Sequence, residues 1–195
     1  MTGNLRFVKA IHLIDLENSK DPNTEAFNGF EYPKELLYSQ RMTEKLIEFD
    51  NNASEELQLA ARAQHICRWE IPRNSYPMDR VGYLKWREEL KKMHALKASE
   101  ILKEVGYDND FINRVTFLIQ KKLLKKDEGT QKLEDVICLV FLHYYFEDFA
   151  VKHEDEKVID IIQKTWKKMS ADGQAAALNL KLSGKSLSLI KKAVL

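Results

Sequence analysis

Apolar residues along the chain recur mostly at spacings of three and four, the period of an amphipathic helix, and alternating runs typical of strands are missing. This pattern predicts an all-α protein, built as a single bundle of about seven to eight helices. The predicted helices cover residues 5–15, 33–49, 55–71, 80–105, 109–126, 131–151, 154–169 and 186–195. Residues 17–33 are rich in turn-forming side chains and predict a loop.

Proline, glycine and small polar residues mark the ends of these helices. Pro33 suits a first helical turn because it lacks an N–H group, and Pro72 requires the preceding helix to stop. The predicted caps are Ser54, Asp108 and Thr130 at N-termini and Gly106 at a C-terminus. These boundaries predict one domain over residues 1–195, with an N-terminal helix and loop (1–32), a core (33–151) and C-terminal helices packing on that core (152–195).

The composition favours a folded globular protein, since 44% of the residues are hydrophobic and 31% are charged. The formal net charge is only +1, so bulk charge gives no case for a nucleic-acid or membrane partner, although a local basic patch leaves nucleic acid open. No apolar run approaches the roughly 20 residues of a membrane span, and residues 1–15 do not form a signal peptide. We therefore expect a cytoplasmic protein with no membrane partner. The oligomeric state is unknown from the sequence.

The segment RAQHICRWEIPRNSYP, residues 62–77, concentrates arginine, histidine and aromatic side chains. Helical spacing gives the third and fourth predicted helices one polar and aromatic face each. These faces carry Arg62, His65 and Trp69 on the third helix and Tyr83, Arg87 and His94 on the fourth. Because consecutive helices joined by a short stiff loop are usually antiparallel neighbours, the two faces are predicted to line one cleft.

Clustered arginines would repel one another unless an anion or carboxylates lay between them, and their planar forks suit phosphate. The cleft is therefore predicted to bind a phosphorylated or otherwise anionic small molecule or nucleotide. The predicted binding residues are Arg62, Arg68, Arg73, Arg80, Arg87, Lys122, Tyr76, Trp69 and Trp86. The alternative that the histidines and aromatic residues are structural core residues stays open.

Two adjacent carboxylates, Glu134 and Asp135, interrupt a strongly apolar predicted helix. Two interpretations of this pair are open. Near a helix N-terminus they favour the helix dipole. Alternatively, one of them turns inward to bind a metal or to pair with the arginines, because a desolvated carboxylate needs such a partner.

Three segments in this order resemble the helical, metal-dependent HD-domain superfamily of phosphohydrolases. The segments are LAARAQHICRW, HALKASEILKEVGYDNDFINRVTFLIQKK and LEDVICLVFL. The resemblance implies an HD-like helical domain in which His65, His94 and Asp135 hold a metal or act in catalysis, with Glu134 as a further catalytic candidate. Where the superfamily has its first-helix histidine, this chain reads LLYSQRM, and where the superfamily has its His-Asp doublet, it reads Gln64-His65 or His65-Ile66.

A closer resemblance covers nearly the whole chain. The motifs PKELLYSQRM, RAQHICRWEIPRNSYP, GYLKWREEL, FINRV and LEDVICLVFL together identify it as a member of the family known as domain of unknown function 4202. That family implies no established activity.

Three hypotheses follow from these residues. The first is an HD-like hydrolase, with or without a divalent metal (manganese, iron, zinc or magnesium) that generates hydroxide. The second is a degenerate HD-like module that binds an anionic ligand, RNA or a partner protein without catalysis. The third is a salt-bridge network that only fixes the helices. Aminoacyl-tRNA synthetase activity is rejected, because Lys168-Met169-Ser170 matches only three residues of a KMSKS loop and the alternating β/α pattern of a synthetase is missing.

Overall fold

The structure is a computed structural model that describes residues 2–194, with the side chains of residues 5–194. The described residues form ten α-helices and one two-stranded hairpin. The predicted helical character is confirmed, while the hairpin and the larger number of helices differ from the prediction. The chain divides into two compact units, residues 1–122 and 123–195. Its predicted organisation as one domain stays a prediction.

The described part of the first unit holds five α-helices and the hairpin. Its elements are α1 (Thr2–Asn18), β1 (Thr24–Phe27), β2 (Phe30–Pro33), α2 (Lys34–Phe49), α3 (Glu55–Arg62), α4 (Arg80–Glu104) and α5 (Asn109–Ile119). Helix α3 is central and packs against α1, α2 and α5. Its Leu59, Ala60 and Ala61 side chains are completely buried, and the two alanines let the surrounding helices approach closely.

Polar side chains cap three of these helices by accepting a hydrogen bond from the backbone N–H three residues further on. The bonds run from Leu57 to Ser54 Oγ (3.3 Å), from Gly82 to Asp79 Oδ1 (2.7 Å) and from Phe111 to Asp108 Oδ1 (2.9 Å). The predicted caps Ser54 and Asp108 are thereby confirmed. Gly106 follows α4 with φ of +88°, as expected of a glycine that ends a helix.

The predicted loop over residues 17–33 is wrong in its second half, which forms the hairpin. Strands β1 and β2 pair antiparallel, with Phe27 opposite Phe30. Asn28 and Gly29 between them have φ of 51° and 81°, the left-handed pair that a tight two-residue hairpin turn requires. The Asn28-Gly29 dipeptide is the sequence signal for such a hairpin turn, but the turn-forming residues around it favoured the prediction of a loop.

The predicted third helix over residues 55–71 is also wrong, because α3 ends at Arg62. The chain continues through turns into two short 3-10 segments, Arg68–Glu70 and Arg73–Ser75. Cys67 has φ of 54°, and its N–H donates to the Asn18 side-chain oxygen (3.1 Å). The Cys67 N–H is thus bonded to α1 and not to a carbonyl one helical turn earlier. His65 and Trp69 therefore do not share a helix face with Arg62.

The boundaries around residue 120 differ from the prediction as well. Helix α5 ends at Ile119, and left-handed φ values at Lys121, Leu123 and Lys125 turn the chain where a helix to residue 126 was predicted. The cap of the following helix is Asp127, whose Oδ1 accepts from the Thr130 N–H at 2.8 Å. The predicted cap Thr130 thus supplies the donor.

The second unit is entirely helical in the part of it that the structure describes. Its elements are α6 (Glu128–Val140), a π-helical turn (Phe141–Tyr145), α7 (Phe146–Val151), α8 (Asp155–Trp166), α9 (Ala171–Leu178) and α10 (Gly184–Val194). Helix α6 packs on α9, and α8 packs on α10. Phe146, Val158 and Ile162 are among the buried apolar residues of this unit. The π-helical turn interrupts the predicted helix 131–151, and α9 was not predicted.

Among the described residues, every helix is too short or too polar to cross a bilayer.

Candidate functional site

The first unit brings a carboxylate and an imidazole together at the start of α2. Glu35 lies in the first turn of α2, is only 7% exposed, and places its Oε2 3.2 Å from His65 Nδ1. The His65 ring stacks on Tyr38, one turn further along α2, with ring centroids 4.0 Å apart and planes at 11°. Both contacts fix the imidazole plane.

The opposite nitrogen of His65 faces a guanidinium group. Arg68 Nη1 lies 3.1 Å from His65 Nε2, and Arg68 Nε lies 3.9 Å from Glu35 Oε1. Because arginine has only donors, Nε2 must accept, and the ring proton must sit on Nδ1 facing Glu35. His65 is therefore a neutral imidazole held between a carboxylate and a guanidinium. Burial, and next the charge of Arg68, lower its pKa well below the usual value.

The turn that follows α3 sets this geometry. His65, Cys67 and Arg68 lie on the left-handed bend at Cys67, which turns Arg68 back toward His65. The bend also aims the Ile66 carbonyl at α4, where it accepts a hydrogen bond from His94 Nδ1 at 2.7 Å. Strained φ values of this kind commonly occur at functional sites.

His94 is the second imidazole of the site and is 1% exposed. Its ring lies 5.9 Å from that of His65. Since the Ile66 carbonyl can only accept, the His94 proton is on Nδ1, and Nε2 is a bare acceptor that has no hydrogen-bond partner among the described residues. Burial lowers the pKa of His94 to about 3. His94 is thus neutral at physiological pH.

Arginine and aromatic side chains from the segment 68–73 and from α4 adjoin the imidazoles. The Trp86 ring lies under the guanidinium groups of Arg68 (4.7 Å) and Arg73 (5.7 Å), and its Nε1 donates to the Ile71 carbonyl at 2.8 Å. Arg87 lies over Tyr83 at 5.8 Å. The charges of Arg87 and Lys121 also contribute to the lowered pKa of His65. The site is therefore electropositive.

Two predicted catalytic residues, His65 and His94, lie in one neighbourhood with four of the predicted binding residues, Arg68, Arg73, Trp86 and Arg87. Arg62 belongs to a structural ion pair, since it donates to both Asp15 oxygens (2.7 and 2.6 Å) and to Thr43. Arg73 donates to the carbonyls of Tyr76, Pro77 and Asp79, and so holds its own loop together. Trp69 and Tyr76 are half-buried, while Arg80 and Lys122 are exposed.

Glu35 was not predicted as a site residue, although the pKa of its carboxyl group is clearly shifted. An acidic residue in a first helical turn usually serves the helix dipole, so no local signal predicts its burial. Asp21 positions it, because Asp21 Oδ2 accepts from the Glu35 N–H at 3.0 Å and Oδ1 accepts from Asn23. Burial raises the pKa of Glu35 to about 7, with Arg68 opposing the shift and Asp21 adding to it.

A pH-dependent stability follows from this shift. The Glu35 pKa rises from 4.5 in the unfolded chain to about 7 in the folded one, so this group destabilises the fold progressively as the pH rises from 4.5 to 7. Glutamine cannot ionise. We expect the free energy of unfolding of Glu35→Gln, relative to wild type, to increase by about 2–3 kcal/mol between pH 5 and pH 8, measured by urea unfolding.

The exposed Glu44 on the same helix offers a matched control, Glu44→Gln. A difference between Glu35→Gln and wild type that stays constant from pH 5 to pH 8 would contradict the raised pKa of Glu35.

Asp135 and Glu134 belong to the second unit, and their described contacts lie there. Asp135 is 1% exposed; Ser170 donates to it from N (2.8 Å) and Oγ (2.6 Å), and Gln131 Nε2 donates at 3.0 Å. Glu134 lies 3.7 Å from Lys168 Nζ. The Asp135 carboxylate thereby ties α6 to the start of α9.

Replacement of Asp135 by alanine should remove all three of these bonds. We expect Asp135→Ala to lower the free energy of unfolding by about 3 kcal/mol, because buried hydrogen bonds to a charged group contribute strongly. Chemical denaturation measures the change, and Asp172→Ala, an exposed residue in the first turn of α9, is the control. A loss no larger than that of the control would show that these bonds do not stabilise the unit.

The donors around His65 do not fit a divalent metal. Among the residues described, no three His, Cys, Asp or Glu side chains are arranged to hold an ion. The lone pair that His65 would offer is turned to the Arg68 guanidinium, a cation that would repel a second one. The predicted ligand set of His65, His94 and Asp135 is therefore not supported by the contacts of its members.

Comparison with curated proteins and with solved structures found no match in either set. One family model matches, over residues 8–190 of the 195, a span that includes α2, the turn around Cys67 and all of α4. The chain therefore belongs to the family described as Domain of unknown function (DUF4202).

Proposed function

We propose that this protein is a hydrolase with an HD-like helical fold that acts on a phosphorylated or otherwise anionic small molecule or nucleotide. The observation that carries the proposal is the neutral His65 between Glu35 and Arg68. A base whose second nitrogen is held by a carboxylate is the arrangement that general acid–base catalysis uses. The position of that base beside a guanidinium favours an anionic substrate.

The substrate would enter through its phosphoryl oxygens. Arg68 would bind them first, with Arg87 and Lys121 adding positive charge, and the Trp86 ring packs against the Arg68 guanidinium. When Arg68 turns its donors to the phosphoryl oxygens, His65 Nε2 is released as an acceptor. Hydrogen bonds of catalytic groups commonly rearrange in this way when the substrate binds.

The released imidazole would act on water. His65 Nε2 takes a proton as the water oxygen attacks phosphorus; the phosphorus–oxygen ester bond breaks, and the proton passes from His65 to the leaving oxygen. Glu35 accepts from Nδ1–H, keeps the required tautomer and stabilises the imidazolium that forms. Proton transfer of this kind typically contributes about 10²–10⁴-fold to a rate.

A second candidate function is a binding module without turnover. It would hold an anionic ligand, an RNA or a partner protein on the same cations. The bond from Arg68 to His65 favours this alternative, because it occupies the lone pair that catalysis needs. It also accounts for the replacement of the His-Asp doublet by Gln64-His65.

A hydrolysis assay on a panel of phosphomonoesters, nucleotides and phosphodiesters separates the two functions, with inorganic phosphate measured for the first two classes and the released alcohol for the diesters. Release by the wild type above the level of the Glu35→Gln variant supports the hydrolase. Saturable binding of a panel member without any release supports the module. A wild type that neither binds nor cleaves any member of the panel would refute both.

A further inference from the structure

One cation, Arg68, contacts His65 and Glu35 and acts electrostatically on all three titratable groups of the site. Arg68 lies 3.1 Å from His65 Nε2 and 3.9 Å from Glu35 Oε1. Its charge contributes to the lowered pKa values of His65 and His94 and opposes the rise in that of Glu35. Imidazoles and carboxylates are side chains that commonly bind divalent ions, but here the lone pair of His65 Nε2 and the Glu35 carboxylate face a guanidinium.

The position of Arg68 is fixed on several sides. The left-handed bend at Cys67 directs it toward His65, and its guanidinium lies 4.7 Å from the centre of the Trp86 ring. Trp86 is itself held by its bond to the Ile71 carbonyl and is 7% exposed. Arg68 is therefore a built part of the site, unlike the exposed Arg80 and Lys122.

The buried acceptor on His94 adds an independent observation. Nε2 of this 1%-exposed side chain has no donor among the described residues, and an unpaired buried acceptor is costly. A ligand that carries both an anionic oxygen and a hydroxyl or bound water would satisfy Arg68 and His94 together. Phosphate and its monoesters have this combination.

We infer that Arg68 supplies the positive charge that a divalent metal would otherwise supply, so that the site binds a phosphate-type oxyanion directly on the guanidinium and needs no metal ion. This inference rests on the proposed function, because it assigns the charge and the ligand class of the same site. A metal at His65 would have to displace Arg68 first. The guanidinium instead meets two phosphoryl oxygens with its fork.

The test is isothermal titration of inorganic phosphate into the full chain, once with excess chelator and once with millimolar manganese. We expect the same dissociation constant, within twofold, under both conditions. Arg68→Ala should weaken binding at least about tenfold, as the loss of a charged hydrogen bond predicts, and Arg68→Lys should recover only part of it, because lysine lacks the fork. Lys92→Ala, which changes an exposed lysine of α4, should leave binding unchanged.

Binding that chelator abolishes and manganese restores would overturn the inference, even where phosphoester hydrolysis is intact. Arg68→Ala and Arg68→Lys with wild-type affinity, and with unchanged circular dichroism spectra, would overturn it as well. No binding of inorganic phosphate by the wild type under either condition would also overturn the inference, whereas the phosphoester panel tests the proposed function separately.

Discussion

Replacement of His65 by alanine is expected to lower kcat for phosphate-ester hydrolysis by about 10²–10⁴-fold, the usual contribution of a positioned acid–base group. The affinity for inorganic phosphate should change far less. Arg68, Arg87 and Lys121 remain in this variant, and they carry the anion-binding charge. Steady-state kinetics on an active member of the phosphoester panel gives kcat and KM separately, and the loss should lie in kcat.

The exposed His12 on α1 supplies a matched control, since His12→Ala removes an imidazole outside the site. Thermal unfolding monitors the fold, because the stacked contact with Tyr38 is lost. Undiminished kcat in His65→Ala would exclude His65 as the base. A rise in KM with kcat unchanged would make His65 a binding residue only.

The second large effect is expected from Gly82→Ala at the start of α4. A Cβ atom built on Gly82 would lie 2.1 Å from the Pro77 carbonyl oxygen and 2.8 Å from its carbon. Both are backbone atoms, so the loop itself must move. We expect the free energy of unfolding to fall by about 3 kcal/mol, the upper end of the usual cost of overpacking.

The Gly82→Ala change should also affect anion binding, because it displaces the segment that Arg73 holds. Its guanidinium donates to the carbonyls of Tyr76, Pro77 and Asp79, and these carbonyls belong to the segment that Gly82→Ala displaces. Phosphate affinity should therefore fall together with stability. Gly184→Ala is the control, because nothing lies within 4 Å of the added carbon there. A Gly82→Ala variant as stable as wild type would show that the loop accommodates the methyl group.

The helical framework could be predicted because it depends on local signals. The caps Ser54 and Asp108 and the end of α4 before Gly106 each follow from a few adjacent residues. The proximity of His65 and His94 also follows from the sequence, but the prediction rests on a helix that extends past residue 62, and the structure has no such helix. The two imidazoles meet because α4 passes close to the turn, where the Ile66 carbonyl binds His94.

The parts that the sequence did not reveal depend on distant contacts. The bend at Cys67 is held by the Asn18 side chain, 49 residues earlier. No local sequence pattern predicts a left-handed backbone conformation at a cysteine. Arg62 looked like a ligand-binding residue, but its partner Asp15 lies on α1. The buried Glu35 contacts Asp21, His65 and Arg68, which are distant from it in sequence. Each of these outcomes is a tertiary effect, whereas periodicity and capping describe single helices.

The protonation of His65 is the central claim, and nuclear magnetic resonance of its ring nitrogens tests it most directly. In a long-range ¹⁵N–¹H correlation spectrum at pH 7.5, with the signals assigned by their loss in His65→Ala, Nδ1 should carry the proton and Nε2 should be bare. Inorganic phosphate should shift the Nε2 resonance as Arg68 turns to the anion. An imidazolium, or a proton on Nε2, would contradict the bond from Arg68 and the assignment of His65 as the base.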